Sequence, residues 1–309
     1  MKVAFLGSDR WSVPALEALA GSPHEVTLVA TREPKPAGRG SRLTPTAVGE
    51  AGRALGLPVA EVATVKRDEG LEALREARPE VLAVVAYGEI LPREVLDLPS
   101  VAPVNLHFSL LPELRGAAPV QHALLRGLAV TGVTTIRMDE GMDTGPILLQ
   151  AEEPVDPADD AGSLGARLAA VGGTTLVETV SRLEAGTLEE HPQDDARSSI
   201  APKLGPADRI LDWTEPAEAV VRRVRALAPE PGASTMYRGR RLKVLRARVL
   251  PGDAAAPGTV ALVTKDGLAI GTAEGLVALE EVAPEGRSRM SGGEFARGYR
   301  PEPGEVLDH

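Results

Sequence analysis

At 309 residues, with a net charge of -10 and no cysteine, the chain excludes disulfides, thiolate catalysis, cysteine-ligated metals and a uniformly basic nucleic-acid coat. No apolar run reaches the roughly 18 residues of a membrane span, and the opening run Lys2-Val3-Ala4-Phe5-Leu6-Gly7 is too short for a signal peptide. A cytoplasmic, membrane-free chain of two domains is expected.

Residues 2–7 form an apolar strand that ends at glycine. Ser12 suits an N-cap and Pro14 a first helical turn, so 15–20 reads as a helix, and 25–31 is a second strand. The β-α-β order predicts a parallel sheet with right-handed crossovers. The turn Gly7-Ser8-Asp9-Arg10 lacks the G-x-G-x-x-G spacing that admits a pyrophosphate, which weighs against a nicotinamide dinucleotide. Residues 32–43 are broken by Pro and Gly, and Arg32, Lys35, Arg39 and Arg42 make them basic within an acidic chain. They are either a solvated irregular loop or an arm that touches an anionic partner such as RNA.

Helical periodicity resumes at 46–55, a short strand follows at 58–62, and 68–77 is helical. The near-continuous apolar run 81–87 predicts a central strand buried on both faces. It leads into Gly88-Glu89-Ile90-Leu91-Pro92, whose Ile90 and Leu91 either line a pocket or belong to the core. In the next strand Val104, Leu106 and Phe108 alternate with Asn105, His107 and Ser109, so the three polar side chains share a face. Asn105 is the single asparagine of the chain. A Pro/Gly-rich turn follows to residue 119, then a helix at 120–126, a strand at 130–138, a Gly-rich acidic loop at 139–146 and a long amphipathic helix at 163–183.

The polar, irregular stretch around 186–205 sets the expected division: a first domain over 1–187, a linker over 188–206 and a second domain over 207–309. In the last, a helix at 215–226 precedes short β-like runs at 233–237, 242–249, 258–263, 268–272 and 275–282, the pattern of a small OB-like barrel. Arg222, Arg223, Arg225, Arg238, Arg240, Arg241, Lys243, Arg246 and Arg248 cluster there, against only Glu218 and Glu230 in the same stretch. A solvated basic face and a phosphate-contacting surface both fit that cluster; beside an acidic first domain, the second is favoured.

If the strand order sets the two central loops side by side, His107 can meet Asp143. A carboxylate beside an imidazole favours the cationic ring and fixes its orientation. A cationic His107 and the Asn105 amide could then stabilise an oxyanion, a kit for direct attack on a carbonyl. Read alone, a lone histidine is more often structural, and Asp143 fits a turn residue equally well. No G-x-S-x-G elbow surrounds Ser109, and His107 has no second His or Glu at ligand spacing, so neither a serine nucleophile nor a metal is expected.

Asn105-Leu106-His107, Ser109-Leu110-Leu111-Pro112, Arg115-Gly116-Ala117-Ala118-Pro119 and Asp143-Thr144-Gly145, together with Pro36-Ala37-Gly38-Arg39-Gly40 and Ala86-Tyr87-Gly88, resemble the folate-dependent formyltransferases. The resemblance spans essentially the whole chain. It implies an α/β, Rossmann-like parallel-sheet domain followed by an OB-like barrel. It also implies that 10-formyltetrahydrofolate donates a formyl group to the amino group of methionine on initiator tRNA, with no metal and in a monomer. Carried over by position, Asn105, His107 and Asp143 are catalytic. Ser109, Leu110, Leu111 and Pro112, with Tyr87, Gly88, Ile90, Leu91 and Asp139, hold the folate. On the tRNA side, the resemblance sends Arg39 toward the acceptor end, and basic character adds Lys35, Arg42, Arg222, Arg223, Arg240, Arg241 and Lys243. Phe108 departs from the family's usual glycine, and Gly7-Ser8-Asp9-Arg10-Trp11-Ser12 departs from its usual first turn. A small-amine formyltransferase is the nearest alternative, against which the basic loop and the barrel weigh.

Overall fold

Contacts divide the chain into one unit made of Met1–Pro119, Val130–Pro154 and Gly165–Pro202, and another made of Val120–Ala129, Val155–Leu164 and Lys203–His309. The structure, a computed structural model, describes residues 1–37, 42–252 and 255–308, with the side chains of Ala37 and Arg42 excepted.

The first unit follows the β-α-β reading. Its elements run β1 (Lys2–Gly7), α1 (Val13–Ala20), β2 (Glu25–Arg32), β3 (Lys35–Ala37), β4 (Arg42–Thr44), α2 (Ala47–Ala54), β5 (Val59–Val62), α3 (Asp68–Ala77), β6 (Val81–Val85), α4 (Arg93–Leu96) and β7 (Ala102–His107). After α5 (Pro119–Leu125), which from Val120 on falls in the other unit, come β8 (Val130–Arg137), β9 (Ile147–Pro154) and α6 (Ala161–Ala185), of which the first unit holds the part from Gly165. The main sheet has the order β5-β2-β1-β6-β7-β8-β9. All five residues of β6 are buried, as a strand covered on both faces requires.

The sheet is parallel only from β5 to β7; β8 and β9 run antiparallel. The turn between β8 and β9 makes a hairpin, which needs no crossover helix. Burial alternates along β9, the mark of a strand with one wet face at the sheet edge. Among the described residues of the basic segment 32–43, expected to be irregular, β3 pairs with β4 in a small ribbon in which Lys35 faces Thr44 and Pro36 faces Leu43. Proline fits there because a two-stranded ribbon leaves half of its N–H positions facing outward.

In the second unit α7 (Ala217–Leu227) packs with a curled antiparallel sheet, a half-barrel. Its strands are β10 (Ala233–Tyr237), β11 (Arg240–Leu250), β12 (Val260–Thr264), β13 (Gly267–Gly271), β14 (Leu276–Pro284), β15 (Met290–Ser291) and β16 (Leu307–Asp308). The order is β12-β13-β14-β11-β10-β16, with β15 beside β14. The curl is strong enough that Thr259, just before β12, bridges Val306, just before β16. Trp213, Val220, Val224, Val244, Ile270 and Phe295 fill the interior. Arg238 and Gly239, both at positive φ (49° and 71°), make the two-residue turn between β10 and β11. Helix α8 (Gly292–Tyr299), absent from the sequence reading, opens with a Ser291/Glu294 capping box.

Candidate active site

Strand alternation gives β7 two faces. Leu106 and Phe108 face α6: a Cβ at Gly172 would crowd Leu106, and Phe108 meets Trp11 edge-on (6.2 Å, 71°), whose indole a Cβ at Gly165 would strike. The two departures from the family pattern are thus one contact, in which the bulk of Phe108 is taken up by Trp11. Asn105 and His107 point to the other face.

There the structure brings Asn105, His107 and Asp143 together. The buried His107 ring has Nε2 at 2.9 Å from the Leu114 carbonyl and Nδ1 at 3.6 Å from Asp143 Oδ2. Asn105 Nδ2 donates to Asp143 Oδ1 at 3.3 Å, and the Gly116 amide donates to Asp143 Oδ2 at 2.8 Å. Leu114 and Asp143 both adopt left-handed backbone, φ 61° and 57°, which non-glycine residues keep only when their surroundings enforce it. β8 lies beside β7 and runs against it, so the loop that follows β8 emerges next to the early part of β7. From there the loop returns along the strand to bring Asp143, 36 positions after His107, to Asn105 and His107.

The turn after β7 is stapled from beneath. Thr134 Oγ1 donates to the Ser109 carbonyl (2.7 Å) and accepts from the Leu111 amide (3.0 Å), while Gln150 Nε2 donates to the Leu111 carbonyl (2.9 Å). Ser109, Leu111 and Pro112 are buried, and Ser109 Oγ donates to the Glu113 carbonyl at 2.6 Å. Of these four residues Leu110 alone is half-buried.

Tyr87 and Leu91 belong to the core beneath β1, β2 and β6, on which Met138, just after β8, also packs. Tyr87 stacks with the Arg32 guanidinium (5.5 Å), and burial, with Glu89 nearby, pushes its phenol up to about 12. Arg32 is also paired with Glu89 at 2.7 Å. Above this layer Gly88, at φ 80°, would meet nothing with an added Cβ, Ile90 is 70% exposed and Met142 52%. Asp139 accepts from Thr144 Oγ1 (2.8 Å) and from the Gly141 amide (3.0 Å), which staples its own loop.

The basic candidates separate. Lys35 is exposed on β3 and Arg42 lies on β4, while Arg39 lies outside the described residues. Arg222 pairs with Glu218 (3.1 Å) and Arg223 with Glu215 (3.0 Å), and Arg246 and Arg248 share Glu280 across the sheet. Burial lowers the Arg225 guanidinium, which donates to the carbonyls of Asp159 and Asp156. Lys243 is half-buried on β11. Arg240 and Arg241 are exposed, form no ion pair among the described residues, and line a cavity of about 670 Å³ with Arg287 and Tyr299.

Two residues that sequence reasoning left without a role also touch the site. Gln193 Nε2 donates to the Asp143 and Gly145 carbonyls, and Arg115 donates to Gln193 Oε1. Gln193 stands in the stretch expected as a linker. That stretch stays with the first unit through Pro202: Arg115 and Ile200 form a bridge, the Ala118 amide donates to the Ala201 carbonyl, and Ile147 exchanges both backbone bonds with His191. No local pattern in the sequence announces such distant partners.

Among the described residues no helix is long and apolar enough to cross a membrane, and no group of three acidic or histidine side chains could hold a metal. The chain belongs to the formyl transferase family: residues 1–180 match the formyl transferase domain and 203–300 the formyl transferase C-terminal domain. It is 47% identical over 307 residues to a methionyl-tRNA formyltransferase from Thermus thermophilus, covering 99% of each chain. It is 42% identical over 308 residues to one from Solibacter usitatus, covering 99% of this chain and 98% of that one. The fold is similar to that of HypX from Aquifex aeolicus in complex with tetrahydrofolic acid, with a TM-score of 0.66 and 18% identity, over 100% of this chain and 51% of that one.

Proposed function

We propose that the chain transfers the formyl group of 10-formyltetrahydrofolate to the α-amino group of methionine on initiator tRNA, in the cytoplasm and as a monomer. The observation that carries this reading is the convergence of Asn105, His107 and Asp143 in a chain 47% identical, end to end, to a methionyl-tRNA formyltransferase.

The residues fit a folate-type donor. Gly88 and Ile90 offer open surface after β6, where Tyr87 and Leu91 are buried, and Ser109, Leu111 and Pro112 are buried in the turn after β7. A flat heterocycle can lie there with its formyl group toward Asn105 and His107. The uncharged methionine amine attacks the formyl carbon, and the new C–N bond sends an electron pair onto the formyl oxygen. His107 Nε2–H is committed to the Leu114 carbonyl, and Nδ1, at 3.6 Å from Asp143 Oδ2, lies beyond a normal hydrogen bond to it, so the Nδ1–H of the imidazolium is open to that oxygen. Asn105 has a second amide hydrogen for the same purpose, since the first points to Asp143. Asp143 holds the Asn105 amide and lies beside the His107 ring, takes the proton that the amine gives up, and passes it through water toward the departing folate nitrogen as the old C–N bond breaks.

Arg240 and Arg241 of the half-barrel, with Lys35 and the basic ribbon of β3 and β4, contact tRNA phosphates in this reading. The acid partners of Arg222 and Arg223 give those two a smaller share. Labelled formyl transfer tests the reading, with charged initiator tRNA against charged elongator tRNA and free amines. Selective formylation of the initiator is the expected result. Free amines formylated as fast as the tRNA would refute the acceptor assignment.

A further inference from the structure

Asp143 needs outside help to stay where it is. Its backbone is left-handed, and Glu140, Gly141, Met142 and Thr144 around it are exposed. The help comes from Gln193, 50 residues later in the chain. Gln193 Nε2 donates to the Asp143 carbonyl at 2.8 Å and to the Gly145 carbonyl at 2.7 Å. Its Oε1 accepts from Arg115 Nε at 3.0 Å and from Nη2 at 2.7 Å. One amide thereby uses both hydrogens and both lone pairs.

Arg115 is itself immobile. It is 6% exposed, and its Nη2 also donates to Asp195 Oδ1 at 2.8 Å. Its own amide and carbonyl bond Ser199 and Ala201 at 2.8 and 2.7 Å. The next residue, Gly116, donates its amide to the Asp143 carboxylate. Asp143 is therefore gripped twice from the same place, at its main chain through Gln193 and at its carboxylate through Gly116.

We propose that Gln193 is a positioning residue for formyl transfer, which seats the 143–145 turn against Arg115 and so sets the Asp143 carboxylate relative to His107 and Asn105. This rests on the role given to Asp143 under the proposed function. Glutamine is the residue the geometry demands. Glutamate would pair with Arg115 yet set oxygen against two carbonyls, and asparagine is one methylene too short to span both sides.

The test measures kcat and both KM values for formyl transfer in Gln193→Ala and Gln193→Glu, alone and combined with Asp143→Ala, and follows hydrogen exchange at the Gly116 amide. For Gln193→Ala, kcat falls on the order of 10- to 100-fold, because small displacements of a reacting group carry losses of that size. Both KM values stay within about twofold, and in the Asp143→Ala background the same change costs less than about twofold, since it acts through Asp143. Exchange at Gly116 speeds up in both single variants, and Gln193→Glu rescues nothing although it keeps a partner for Arg115. Losses that multiply in the double variant, full rescue by glutamate, or a loss confined to KM would each overturn the proposal. Should Gln193→Ala fail to fold, Gln193→Glu decides by the same criteria. A wild-type chain that transfers no formyl group refutes the functional reading instead; unchanged Gly116 protection refutes the clamp in either case.

Discussion

Asp143→Asn separates chemistry from architecture at the centre of the site. The carboxylate accepts from Gly116 at 2.8 Å with Oδ2 and from Asn105 at 3.3 Å with Oδ1, and Oδ2 faces His107 Nδ1 at 3.6 Å. Asparagine keeps a single oxygen. Placed on Gly116, it retains the shorter bond and turns an NH2 group toward the Asn105 amide, donor against donor. The opposite orientation breaks the 2.8 Å bond, so the first is adopted. One long hydrogen bond is lost, which costs about 1 kcal/mol of stability and lowers the unfolding midpoint by roughly 2–4 °C. The negative charge and the proton acceptor are lost too. General-base contributions run to about 10²–10⁴ in rate, or about 2.7–5.4 kcal/mol of barrier at about 1.36 kcal/mol per decade. Rapid-quench single turnover with pre-bound aminoacyl-tRNA isolates this step from product release. A variant within about tenfold of wild type, destabilised by about 1 kcal/mol, would make Asp143 a structural clasp and end the mechanism drawn for it.

Phe108→Ala removes a buried ring that meets Trp11 on the face away from His107, so stability should fall by about 3–5 kcal/mol while turnover per folded molecule holds; denaturant titration beside kcat checks both. Arg240→Ala with Arg241→Ala should weaken tRNA binding and flatten the plot of log affinity against log salt by about 0.7–0.9 per lost contact, leaving folate affinity untouched; an unchanged slope removes the pair from the interface. Burial, and then the neighbouring N-terminal amine, hold the His24 imidazole below its ordinary 6.5, with Glu184 opposing. The unfolded state therefore binds more protons, and stability present above pH 6.5 is lost as pH falls through the lowered value. His24→Gln should blunt the fall in unfolding midpoint between about pH 7.5 and pH 5, and an equally steep fall in the variant would assign it to other groups.

Much of this was legible because the signals are local. The unbroken apolar run of β6, the 3.6-residue stripe of α6 and the alternation through Asn105 and His107 each lie within one element. What escaped depends on partners far along the chain. The antiparallel hairpin of β8 and β9 follows from a turn whose seat includes Gln193, and no window around 193 contains Asp143. The basic cluster of the half-barrel looked freer than it is, because Glu280 lies on β14, the strand paired with β11, and reaches Arg246 and Arg248 across the sheet. The departure at Phe108 could not be placed from its neighbours alone, because its counterpart, Trp11, stands nearly a hundred positions earlier.

The lacing of 191–201 onto the first unit bears on where the catalytic module ends. The formyl transferase domain, as the family shares it, stops at residue 180, while the hydrogen bonds that seat Asp143 and Arg115 arrive from beyond it and the first unit runs to Pro202. A fragment cut at the first boundary keeps Asn105, His107 and Asp143 and leaves the Asp143 turn unmoored. Any chimera that exchanges C-terminal domains within the family should therefore be spliced after Pro202, so that the tail travels with the turn it seats.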